Sequence, residues 1–175
     1  MIQRATLIAL GMVLAVAAAA SPPRTDIPAA LGPAASERLA MTINADGVQI
    51  YECRAAADAP SGHGWTFVAP EAALFDMKGQ RFGHHGAGPY WQAGDGSRVV
   101  GKVKARADSP AAGAIPWLLL TTESTGPQGA LSPVTSIQRI DTVGGAMPTT
   151  ACTRQAVGTL ARIHYTAVYR LFSDQ

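Results

Sequence analysis

Ile163-His164-Tyr165-Thr166-Ala167-Val168-Tyr169-Arg170-Leu171-Phe172 is the stretch on which the fold turns. Side chains alternate faces along a strand. Ile163, Tyr165, Ala167, Tyr169 and Leu171 therefore share one face, and His164, Thr166, Val168, Arg170 and Phe172 take the other. β-branched and aromatic residues at period two predict a strand. Toward the N-terminus, Val134–Val143 carries Ile137 and Ile140 at a spacing that also suits a helix, but its β-branched content favours a strand. Pro116–Thr122, with Trp117 and Leu118–Leu120, is a continuous apolar run and predicts a strand buried on both faces. Tyr90–Gln92 and Arg98–Arg106 flank Gly94-Asp95-Gly96, a hairpin signal.

The same reading continues back to the first strand. Gln80–His85 is a strand, Glu71–Asp76 one helical turn, and Trp65–Ala69 a strand stopped by Pro70. Leu39–Ile43 and Val48–Cys53 form a hairpin about Asn44-Ala45-Asp46-Gly47. The fold class is all-β: a single-domain antiparallel sandwich or barrel of roughly eight to ten short strands.

Composition agrees. Only 15% of the 175 residues are charged, against 18 Gly and 12 Pro, as expected of a turn-rich β domain. Arg4, the apolar run Ala5–Ala17 and the small residues Ala18–Ala20 have the order of a secretory signal peptide over residues 1–20, cut between Ala20 and Ser21. The apolar run is shorter than the roughly 20 residues of a spanning helix. Residues 21–36, with Pro22, Pro23, Pro28 and Pro33, read as an extended Pro/Ala-rich leader, and 37–175 as the single β domain. A periplasmic or secreted location follows. There Cys53 and Cys152, which lack Cys-x-x-Cys spacing, are expected to form a structural disulfide closing a loop over residues 54–151. The formal net charge of +2, less Arg4, gives no reason to expect nucleic acid, nor a membrane partner once the leader is removed.

Few residues announce chemistry. His84 and His85 face opposite sides of a strand, and His63 and His164 lie far off, so no metal is expected. Gly-x-Ser-x-Gly, phosphate-loop and dinucleotide fingerprints are all missing, so no cofactor is expected. One region stands out: His85-Gly86-Ala87-Gly88-Pro89-Tyr90-Trp91. A tryptophan beside flexible glycines suits a flat amphipathic ligand. His85, Gly88, Tyr90 and Trp91 are accordingly the candidate ligand-binding residues. Should Asp95 or Asp76 reach His85, a general acid–base site results. The alternative is that both aspartates close their own turns.

These stretches also carry a resemblance. Gly47-Val48-Gln49-Ile50-Tyr51-Glu52-Cys53, Trp65–Ala72, His85–Trp91, Asp95-Gly96-Ser97, Ala114–Leu120, Gln138-Arg139-Ile140 and Gly144-Gly145 resemble, in that order, the domain of unknown function 3455 family of exported proteins. The resemblance implies export and no assigned activity. A malate dehydrogenase label on some fungal relatives finds no dinucleotide fingerprint here. Tyr90 stands where the family often has Thr, and His85 holds the family's usual position. The expected function is a binding or structural module for a small molecule, a glycan or an envelope protein surface. The alternative is an enzyme centred on His85 with Asp95 or Asp76.

Overall fold

Period-two alternation, with apolar residues inward, carries the chain around one closed sheet. The computed structural model describes residues 26–57, 59 and 61–175. The expected signal segment 1–20, its expected cut between Ala20 and Ser21, and residues 21–25 of the expected leader lie outside the described residues. Eight strands follow in order: β1 (Glu37–Ala55), β2 (His63–Phe75), β3 (Arg81–Gly86), β4 (Tyr90–Ala93), β5 (Arg98–Ala107), β6 (Trp117–Ser124), β7 (Val134–Gly144) and β8 (Leu160–Asp174). Each pairs antiparallel with the next, and β8 pairs with β1, so the sheet closes as a barrel rather than opening into a sandwich. Two short 3-10 turns, Ala29–Leu31 and Arg154–Ala156, are the only helical pieces among the described residues.

The alternation of β8 is as expected: Tyr165, Ala167, Tyr169 and Leu171 are buried. The expected hairpin at Asn44–Gly47 does not form. β1 runs straight through it, pairing with β8 from Glu37 to Glu52. Inward parity is unbroken from Ile43 and Ala45 through Gln49 and Tyr51 to Cys53, all buried. Gly47 serves close approach rather than a turn, since a Cβ there would collide with the backbone of Glu71 and Ala72. Neither the stop at Pro70 nor the helical turn at Glu71–Asp76 is found. Pro70 lies within β2 opposite Gln49, beside a register shift between Ile50 and Tyr51, and such irregularities tolerate a residue without an N–H.

The connections after β2, β4 and β6 gather at one end of the barrel, where the two ends of the ring, Glu37 and Asp174, also pair. Those after β1, β3, β5 and β7 gather at the other end. The interior between them packs Ile43, Leu74, Trp91, Val99, Leu120, Leu131, Ile137 and Leu171. Outside the wall, Trp117, Leu119 and Ile140 form a second cluster under Leu31, which is fully buried. The Gln138 amide donates to the Leu31 carbonyl at 2.7 Å, pinning the leader there. Trp117–Leu120 is thus apolar because both of its faces are covered, while Thr121 is exposed.

Candidate functional site

At the second end the barrel is not filled. A pocket of about 840 Å³ opens there, and every strand contributes to its lining. β1 supplies Gln49 and Tyr51, β2 Phe67, β3 His85, β4 Trp91, β5 Val103, β6 Leu118 and Leu120, β7 Arg139 and β8 Tyr169. This follows from strand parity: the inward positions that hold core side chains at mid-barrel become pocket walls one or two pairs further on. At the rim Phe67, Val103 and Met147 are about half exposed, beside the exposed Arg106 and Asp108.

Aromatic rings form the floor. His85 stacks on Trp91 with centroids 4.3 Å apart, and Tyr169 meets both edge-on at 5.5 and 5.4 Å. His85 Nδ1 donates to the Tyr90 carbonyl at 2.7 Å, which fixes the tautomer and leaves Nε2 as an acceptor. Burial, reinforced by the Arg139 charge against the Tyr90 hydrogen bond, pushes the His85 pKa down to about 3. The ring is therefore neutral near pH 7, with no proton to give and little basicity. Burial pushes the hydroxyls of Tyr51, Tyr165 and Tyr169 up from the usual tyrosine value, and the Arg139 charge pulls each back.

One long loop, residues 145–159, is strapped across this end. The Cys53–Cys152 disulfide joins it to β1, with Cα atoms 5.5 Å apart. The Tyr51 hydroxyl donates to the Gly145 carbonyl at 2.7 Å, and Trp65 Nε1 to the Thr150 carbonyl at 2.9 Å. Gly145 has a positive φ of 79°, and a Cβ on it would press on Tyr165 and Gln49.

Of the residues singled out from the sequence, His85, Gly88 and Trp91 line the pocket. Tyr90 does not. Next to Trp91 in a strand, it faces the outside, where Arg98 lies over its ring at 3.8 Å and His84 meets its edge. With His84 and Arg162 it borders a shallower outer groove of about 590 Å³. Neither aspartate partners His85. Asp76 accepts the backbone N–H of Lys78 and Gln80. Asp95 accepts the N–H and hydroxyl of Ser97 and the N–H of Ala130, hydrogen bonds that hold its carboxyl below the usual range. Both sit in turns at the end opposite the pocket. Among the described residues no three His, Cys, Asp or Glu side chains gather closely enough to hold a metal.

Gln49, Tyr51, Arg139 and Tyr169 were not singled out by sequence reasoning. Arg139 had a signal: it shares the inward parity of Ile137, an unusual place for a charge.

Residues 33–173 match the family described as Protein of unknown function (DUF3455). No curated protein and no solved structure matches the chain.

Proposed function

We propose that this chain, which belongs to the DUF3455 family, is an exported binding protein that holds one small amphipathic molecule in the mouth of its barrel. The observation that carries the reading is the pocket itself. Eight-stranded barrels either fill with side chains or hold one small ligand, and about 840 Å³ lies within the usual 300–1,000 Å³ of ligand sites. Its walls are mostly apolar and aromatic with a few polar groups, the usual composition of such sites. Support for binding over acid–base catalysis comes from His85: neutral, with a carbonyl rather than a carboxylate behind it. Export is supported by the signal pattern of residues 1–20 and by the disulfide. The inward face is apolar while Arg162, His164 and Arg170 lie outward on β8, the reverse of a membrane barrel.

Titration with N-phenyl-1-naphthylamine, a neutral fluorophore that brightens in apolar surroundings, tests the pocket. Saturable one-to-one binding that is weakened in Val103→Asp is the expected result. No binding of this probe, and no thermal stabilisation by a library of small amphipathic molecules, would sink the reading. Recovery of a mature chain beginning at Ser21 from the cell exterior or periplasm tests export.

A further inference from the structure

Resting on the reading of the barrel mouth as a ligand pocket, we propose that Arg139 receives the anionic group of the ligand, an organic carboxylate with a flat apolar body. Arg139 lies on β7 at inward parity and lines the pocket. Its Nε and Nη2 both donate to the Pro116 carbonyl, at 3.1 and 2.8 Å, which fixes the plane of the guanidinium. Beyond the Pro116 carbonyl, Arg139 has no carbonyl or carboxylate acceptor among the described residues; the Tyr169 hydroxyl lies within its reach. Among the described residues no carboxylate lies within 4.0 Å of Arg139, and the ion pairs found elsewhere involve Arg54, Arg162 and His164. The single acidic residue of the lining, Asp108, is exposed at the rim. A guanidinium facing an apolar pocket without a counter-charge is costly, and an entering anion relieves that cost.

The groups around it have the same bias. Gln49, Trp91 and Tyr169 line the pocket at 3%, 1% and 0% exposure; Trp91 Nε1 has no hydrogen-bond partner among the described residues, while the Tyr169 hydroxyl lies within reach of Arg139 and Tyr165, and Gln49 within reach of Tyr165. Tyr169 lies close enough to Arg139 for the charge to act on its ionisation. Arginine, amide, indole and phenol all offer N–H or O–H donors. A donor-rich lining calls for an acceptor-rich head group. One planar fork suits a carboxylate, which it can grip with two parallel bonds. Arg106, the second cation of the lining, is exposed at the rim, so Arg139 is the one partly buried cation facing the pocket, and a phosphate carries more charge than it balances. The flat body follows from the stacked His85–Trp91 pair and the edges of Tyr51 and Phe67, whose rings lie 5.8 Å apart.

The test displaces N-phenyl-1-naphthylamine from the full exported chain with naphthalene-2-carboxylate and with naphthalene-2-carboxamide, its neutral counterpart. The carboxylate is expected to bind at least about tenfold more tightly. The preference disappears in Arg139→Gln and is partly kept in Arg139→Lys, while the neutral probe still binds each protein saturably, showing that the pocket is formed. Should Arg139→Gln not fold, the carboxylate-to-amide ratio of the unaltered protein decides. Equal displacement by the two compounds, or by neither, overturns the carboxylate and leaves the pocket standing. Failure of the neutral probe to bind overturns the pocket reading and this inference with it.

Discussion

The two ends of the barrel are built from the same eight strands and solve opposite problems. At the closed end, side chains and turns fill the ring. Leu131 reaches into the core from the β6–β7 connection, and the Ser97 hydroxyl accepts its N–H at 3.0 Å while donating to Asp95 at 2.6 Å. Ser97 and Asp95 are paired there, while Arg98 Nε and Ser136 Oγ are buried without a partner among the described residues. At the open end the ring is left unfilled, Trp91 Nε1 lacks a partner among the described residues, and a loop is held across the rim by a covalent bond instead of by packing. The contrast teaches that filled core and open pocket are separated along the barrel axis. Both ends keep some buried polar groups unpaired, but the staple lies at the unfilled one.

Removing the staple should have the largest effect. In the chain-entropy view a disulfide closing residues 54–151 is worth on the order of 4–5 kcal/mol. Cys53→Ser with Cys152→Ser should lower stability by that order, and raise amide exchange in 145–159 well before 125–133. Equal rises at both ends would break the comparison. Leu131→Ala is next, at about 2–5 kcal/mol for a fully buried leucine. Chemical denaturation should show that loss with the affinity for the neutral probe unchanged. A weakened affinity would mean that the two ends are coupled.

The pH response sharpens the contrast further. His85 has a folded pKa of about 3 against an ordinary 6.5. Between those values the unfolded chain binds the proton and the folded chain does not. The stability this site confers is therefore complete above about pH 6.5 and is lost as pH falls toward 3, by at most about 1.4 kcal/mol per pH unit. Denaturation at stepped pH should show the loss, and His85→Gln should flatten it. Smallest of all, Met147→Ser at the half-exposed rim should change stability by less than about 0.5 kcal/mol. It should still weaken binding of the neutral probe several-fold.

Much of this was legible in the residues. The clean alternation of Ile163–Phe172, the Gly94-Asp95-Gly96 turn and the strand at Pro116–Thr122, covered on both faces over Trp117–Leu120, each follow from local pattern, and each element exists. The misreadings share a cause. Asp46-Gly47 and Pro70 are local turn and stop signals, but tertiary approach overrides them: Gly47 is small because β2 crosses it closely, and Pro70 sits beside a register shift. Parity would have corrected the first, since Ile43, Ala45, Gln49, Tyr51 and Cys53 never change phase. At the pocket, His85 and Trp91 were visible because they adjoin glycines. Arg139 and Gln49 were not, because a single polar residue in a strand points to a pocket only once the ring around it is closed.

The seam between β1 and β8 has a further consequence, for the time course of folding. It joins the first and last strands of the barrel, from Glu37 opposite Asp174 to Glu52 opposite Leu160. Contacts that distant in sequence form slowly, and barrels dominated by them fold in roughly milliseconds to seconds. Until the last strand arrives, β1 and β7 are open edges able to capture a neighbouring chain. A chain cut before Leu160 should therefore aggregate rather than fold. The complete ring has no edge left to offer.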